Sequence, residues 1–264
     1  MKLGFIQNKP IFGEVDRNLD RIESLLSGEK ADLAVLPELF AVGYQFVDTA
    51  EAREFAEPIP CGPTTQRIIR WAKEMNGVIV AGLVELEGSM IYNSAVIVNS
   101  EGVIGSYRKV HLFDVEKKVF SPGNGPLQVF DIGIARLGVM ICFDWRFPEI
   151  CRTLAVKGAD IIAHPSNLIL PHCPQSMITR CLENRVFAVT ADRVGEENRI
   201  NGERLKFIGQ SQLVDPDGNL LHRASKEEEK AWFTEIDQNQ ARQKSINSVN
   251  NLFADRRTDL YELN

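Results

Sequence analysis

The chain has 264 residues, of which 44% are apolar and 25% charged, with a formal net charge of −6. That is enough chain for a sizeable core, an ordinary composition for a soluble domain, and an acidic balance that leaves no footprint for nucleic acid. No apolar run approaches the roughly 20 residues that cross a bilayer. The N-terminus enters a strand pattern without a signal-peptide layout, and five cysteines without paired spacing argue against a disulfide framework, so a cytoplasmic setting is expected.

In chain order, residues 3–7 read as a strand, 18–26 as an amphipathic helix and 33–36 as a second strand. Residues 64–75 form the next helical pattern, closed by Asn76-Gly77. Two neighbouring strands, 78–83 and 94–98, join through Gly88-Ser89. The alternation resumes at Ala135 with the apolar run 137–141. A helix then carries Pro148 and Glu149 in its first turn, Lys157 in its last and Gly158 as its stop. A strand at 160–163, a helix near 175–184 and a strand at 186–191 follow. Such alternation predicts an α/β fold with helices packed on mixed sheets. Residues 195–206 read as an exposed hairpin or loop, 227–230 as a solvated charge run, and 245–264 as a C-terminal arm whose Leu252, Phe253, Leu260 and Tyr261 suit packing on a neighbour. No linker separates the two halves.

The halves echo one another. Ala31-Asp32-Leu33-Ala34-Val35-Leu36-Pro37-Glu38 resembles Ala159-Asp160-Ile161-Ile162-Ala163-His164-Pro165-Ser166, and Leu3-Gly4-Phe5-Ile6 resembles Leu137-Gly138-Val139-Met140. If the layers are duplicated, Glu38 and Ser166 occupy matching strand ends, and Cys142 matches Asn8.

The chemistry concentrates at Cys142, placed where a buried strand stops and a helix is about to begin. A thiol there is held by a rigid strand yet projects into the crevice beyond it; the alternative is a small buried hydrophobe. A cysteine nucleophile needs a base and an oxyanion stabiliser. Of four histidines, only His164 ends a strand. Glu38 is a better base: an apolar strand delivers it to its end, where desolvation raises a carboxyl pKa towards the useful range. Lys109, followed by Val110, Leu112 and Phe113, is either a partner to that carboxylate or a surface lysine. Tyr44 follows Glu38 closely enough to wall a pocket, or is a core aromatic. Ser166 and Asn167 end a strand of the sheet that carries Cys142, and Trp145 and Arg146 face either cleft or core. Arg146, Arg180 and Arg185 are expected in ion pairs within the fold rather than on substrate.

Leu36-Pro37-Glu38, Tyr107-Arg108-Lys109-Val110-His111-Leu112-Phe113 and the stretch from Gly138 to Glu149 resemble, in order and spacing, the nitrilase superfamily of carbon–nitrogen hydrolases. The resemblance covers nearly the whole chain, extending through His164-Pro165-Ser166-Asn167, the segment from Arg180 to Arg185, and Asp255-Arg256-Arg257. It implies a Glu38–Lys109–Cys142 triad, with Glu116 orienting Lys109 and the backbone N–H of Phe143 facing the developing negative charge. It further implies one domain over 1–264, folded as a four-layer α-β-β-α sandwich with two mixed six-stranded sheets, with no metal or organic cofactor and a homodimer or higher homo-oligomer. The implied reaction is hydrolysis of a non-peptide C–N bond in a small linear amide or N-carbamoyl compound through a cysteine thioester. An aliphatic nitrile is the rival substrate, and a catalytically silent small-molecule-binding scaffold is the rival of another class.

Overall fold

The computed structural model describes residues 1–200 and 202–261. In chain order the strands are β1 (Lys2–Gln7), β2 (Leu33–Val35), β3 (Val78–Glu87), β4 (Met90–Asn99), β5 (Gly102–Arg108), β6 (Val129–Asp131), β7 (Arg136–Val139), β8 (Ile161–Pro165), β9 (Phe187–Ala191), β10 (Glu196–Ile200), β11 (Glu203–Lys206), β12 (Gln212–Val214), β13 (Leu220–Arg223) and β14 (Lys230–Glu235). The helices are α1 (Val15–Leu26), α2 (Thr49–Glu54), α3 (Pro63–Met75), α4 (Glu116–Val119), α5 (Pro148–Val156) and α6 (Cys173–Asn184). Two six-stranded sheets form, in the orders β14-β1-β2-β3-β4-β5 and β13-β12-β9-β8-β7-β6, with β10–β11 as a separate hairpin.

The two sheets share a pattern that explains the sequence echo. Leu3, Gly4 and Phe5 of β1 lie beside Leu33, Ala34 and Val35 of β2, and Leu137, Gly138 and Val139 of β7 lie in the same parallel register beside Ile161, Ile162 and Ala163 of β8. In each sheet a parallel triple is flanked on both sides by antiparallel strands.

Strand alternation sends side chains to two different layers. Leu3, Phe5, Leu33, Val35, Val78 and Val80 pack between the sheets against Val139, Ala163 and Val189. Their neighbours Ile6, Ala34, Leu36, Ile79 and Ala81 point outward, onto Leu19, Ile22, Ile68 and Trp71 of α1 and α3. On the far side, Ile150, Cys151 and Leu154 of α5 and Met177 and Cys181 of α6 cover the second sheet. The result is an α-β-β-α sandwich. Pro148 stands at the first position of α5, and Gly158 with φ of 91° lies two residues past its end, as expected from their conformational limits. The charged hairpin at 196–206 is also as expected, except that Glu197 is buried beneath it.

The C-terminal arm folds back on the protein. Phe253 packs on the second-sheet core, with Arg152 and Lys244 over its ring, while Ile246, Val249, Leu260 and Tyr261 are exposed. Residues 262–264 lie outside the described residues.

Candidate active site

Parallel triples place the side chains that the sequence singles out. Glu38 comes three residues after β2 and Cys142 three residues after β7, both at carboxyl ends of inner strands, where α/β sheets hold their ligands. Gly82 on β3 makes room for the first of these. A Cβ there would stand 2.5 Å from Glu38 Cα and 2.7 Å from Leu39 N, so only glycine lets the two backbones approach. Lys109 follows β5, tied to β4 by its N–H on the Asn93 carbonyl, and Glu116 opens the one-turn α4.

These elements converge on a buried cluster of ionisable groups. Lys109 Nζ donates to Glu38 Oε1 at 2.7 Å and to Glu116 Oε1 at 2.8 Å, and all three side chains are buried. Asn93 Nδ2 donates to the same Glu38 oxygen at 2.7 Å, leaving Glu38 Oε2 without a partner among the described residues. The Tyr44 hydroxyl donates to Glu116 Oε1 at 2.6 Å, and Glu116 Oε2 accepts from the Phe113 N–H. Burial raises the Glu38 pKa above the usual carboxylate value, against the Lys109 ammonium, which lowers it. Burial works against the charge on Lys109 too, but Glu116 and Glu38 outweigh it and hold the ammonium more firmly protonated than a free lysine.

Cys142 is buried to 7% exposure in a backbone conformation with φ of 41°, in the left-handed region that an L-residue adopts only under constraint. Two contacts hold it there. Asp144 Oδ2 accepts from the Ile141 N–H at 2.9 Å, and His164 Nε2 reaches the Cys142 carbonyl at 2.9 Å. Asp144 also accepts from the Tyr107 hydroxyl and from the N–H and ring of His111, which ties the loop after Lys109 to the Cys142 turn. Burial pushes the Cys142 thiol well above its ordinary pKa, with Glu38 adding and both Lys109 and the Asn167 backbone N–H opposing. Burial thus favours the neutral form of the Cys142 thiol.

The remaining sequence candidates divide. Asn167, Phe143 and Trp145 line a crevice over Cys142 with Phe113, Leu168, Ile169 and Leu170. Neither polar atom of the buried Asn167 carboxamide has a protein partner among the described residues. The Phe143 N–H has no backbone acceptor among them either. Tyr44 sits against Glu116 rather than in the crevice lining, and Ser166 turns inward onto His164. Arg146 lies over Trp145, Arg180 pairs with Glu183 and Arg185 with Asp217. His164 touches the Cys142 main chain, not its sulfur. Among the described residues, no group of three or more His, Cys, Asp or Glu is placed to hold a metal. A larger cleft of about 770 Å³, bordered by Lys9, Arg21, Arg199 and Glu229, lies away from Cys142; in it Arg21 pairs with Glu229, and Arg199 with Glu51.

Sequence reasoning missed Asn93, Asp144 and Thr190, whose hydroxyl meets His164 Nδ1 at 3.2 Å. Asn93-Ser94 did carry a signal, since two polar residues between the apolar Ile91 and the run Ala95 to Val98 are costly unless bonded to something.

The sandwich fold and the buried cluster of Glu38, Lys109, Glu116 and Cys142 narrow the class of protein, and the relatives name it. Residues 2–245 match the family model for carbon-nitrogen hydrolases, and the chain belongs to that family. It is 48% identical to a Pyrococcus abyssi protein named nitrilase, over 99% of both chains. It is 34% identical over 233 residues to an (R)-stereoselective amidase of Pseudomonas, covering 86% of this chain and 82% of that one. A crystal structure of a carbon-nitrogen hydrolase from Helicobacter pylori superposes with a TM-score of 0.85 at 25% identity, over 99% of this chain and 96% of the other.

Proposed function

We propose that the protein hydrolyses a small, uncharged nitrile or amide through a covalent bond to Cys142, releasing ammonia. The observation that carries this reading is the division of labour on Glu38: one oxygen is spent on Lys109 and Asn93, and the other is left unpaired. A free carboxylate oxygen of raised pKa, packed with a thiol, is suited to take the thiol proton as the sulfur attacks.

With an amide, the Cys142 sulfur bonds to the carbonyl carbon and the π pair moves onto oxygen, where the Lys109 ammonium and the Phe143 N–H face it. The C–N bond then breaks, the nitrogen leaves as ammonia with the proton held by Glu38, and a thioester remains. Water, deprotonated by Glu38, adds to the thioester and expels the thiol. With a nitrile, the sulfur adds to the C≡N carbon to give a thioimidate, one water adds, ammonia leaves, and the same thioester is hydrolysed by a second water. Glu116, held by Tyr44, fixes the ammonium from the other side.

Sequence reasoning alone placed amides and N-carbamoyl compounds ahead of nitriles. The 48% relative named nitrilase, matched over nearly every residue, supports a nitrile first, and the amidase at 34% supports an amide second. Apart from the Glu38–Lys109–Glu116 cluster that would meet the reacting bond, the crevice lining among the described residues is uncharged, which favours a short uncharged acyl group over an ionic one.

The test is ammonia release from three- to five-carbon aliphatic nitriles, their amides and N-carbamoyl amines, with Cys142→Ala as the blank. Release from nitriles with the carboxylic acid as product supports the leading reading, and release only from amides or carbamoyl compounds supports the second. Release undiminished in Cys142→Ala would overturn the covalent mechanism.

A further inference from the structure

The Cys142 carbonyl and the Phe143 N–H belong to one peptide unit. It is trans, since Ile59-Pro60 is the cis bond of the described chain, and a planar trans unit points its C=O and N–H in opposite directions. Whatever grips the carbonyl therefore aims the N–H. His164 grips it at 2.9 Å from beneath, and the N–H has no backbone acceptor on the other side, where Cys142 and Phe143 line the crevice.

The chemistry of the three contacts fixes how His164 does this. A carbonyl only accepts, so Nε2 must carry the ring proton, and Nδ1 must accept from the Thr190 hydroxyl at 3.2 Å. Ser166 Oγ, 3.2 Å from Nε2, completes the lock. Complete burial pushes the ring's pKa down to about 4, so it stays neutral and keeps this tautomer throughout the neutral range. Without that anchor, the strained turn at Cys142 has an easy relaxation: rotation of the peptide, which would swing the Phe143 N–H out of the crevice.

We propose that His164 is a positioning residue for the oxyanion site, acting through the Cys142–Phe143 peptide and not through the sulfur. This rests on Cys142 being the nucleophile, and the experiment separates the two claims. Two probes attack the same sulfur. p-Nitrophenyl acetate acylates it, with the carbonyl π pair moving to oxygen before p-nitrophenolate leaves. Iodoacetamide alkylates it by displacing iodide, and no oxyanion forms. Both rates are taken as the difference from Cys142→Ala.

For His164→Phe, which keeps a ring but no donor, we expect acylation to fall by about 10²-fold, the typical loss of one oxyanion donor, with alkylation within about threefold of wild type. His164→Gln, whose amide N–H reaches the carbonyl, restores most of the acylation. Equal losses in both reactions, no loss in either, or a folded His164→Gln as poor as His164→Phe would each overturn the proposal. Should His164→Phe not fold, His164→Asn, polar but too short to reach, takes its place with the same expectation. Unfolding of both would make His164 a fold residue only and overturn it too. If instead Cys142→Ala reacts with both probes as fast as wild type, the nucleophile assignment itself fails.

Discussion

Asn93 donates to Glu38 from the middle of a strand, at 2.7 Å, and shares its acceptor oxygen with Lys109. A β-strand thus supplies both a wall of the core and a hand on the proposed general base. Hydrogen bonds to a charged group contribute about 1.5–3 kcal/mol, and a tenfold change in an equilibrium corresponds to about 1.4 kcal/mol. Asn93→Leu removes a bond that favours the ionised form of Glu38. Its pKa should then rise further, and the acid limb of the kcat/KM profile should move to higher pH by about one unit. An unmoved limb in a folded variant would show that Lys109 alone sets the base.

Tyr44 acts one contact further out. Tyr44→Phe deletes the hydroxyl that donates to Glu116 Oε1 at 2.6 Å and keeps the ring edge-on to Phe207. Lys109 then faces a less restrained carboxylate. We expect kcat to drop about tenfold and stability to fall by about 1–2 kcal/mol, read from steady-state rates and urea denaturation.

The loop bearing Tyr44 is held in turn by a buried ion pair. Arg193 pairs with Glu197, lies over the Phe207 ring at 3.9 Å, and donates to the Pro10 carbonyl, while Glu197 accepts from the N–H groups of Tyr44 and Gln45. Arg193→Met strands a buried carboxylate and should cost about 3–5 kcal/mol. Adding Glu197→Gln, which neutralises that carboxylate, should recover part of the loss. If the double variant is no more stable than the single one, the pair is not the source of the cost.

Acid sensitivity should trace to His164. Its folded pKa of about 4 lies below the ordinary 6.5, so between those pH values the unfolded chain binds the proton and the folded one does not. Stability from this residue is full above pH 6.5 and is lost as pH falls towards 4. Comparing wild type with His164→Gln by urea denaturation, the wild-type advantage should shrink by about 2 kcal/mol between pH 6.5 and 5. A constant difference would mean the buried ring is solvated.

Much of this was legible before any coordinates. Repeated apolar runs ending in Pro37-Glu38 and Pro165-Ser166 pointed to duplicated layers, and the family resemblance supplied the two sheets, whose matching strands leave the same imprint in both. Glu38 and Cys142 could be singled out because each stands at the end of an apolar strand, whereas Lys109 stood out only through the family resemblance. Asn93 interrupted an apolar strand, but its partner, like those of Asp144 and Thr190, could not be assigned, since the partners lie 55, 37 and 26 positions away in the chain. Ser166 shows the opposite failure: its position was right, but a neighbouring imidazole claimed its hydroxyl.

Gly82 has a consequence for how such a protein can change. Glu38, the proposed base, sits where two main chains touch, and Cys142, the proposed nucleophile, sits on a turn held by main-chain contacts, so this floor tolerates almost no variation. The crevice walls, Leu168 to Leu170 and Phe113, are side chains on loops. New substrates can therefore be acquired by altering the walls alone, while the bond-breaking apparatus is inherited intact.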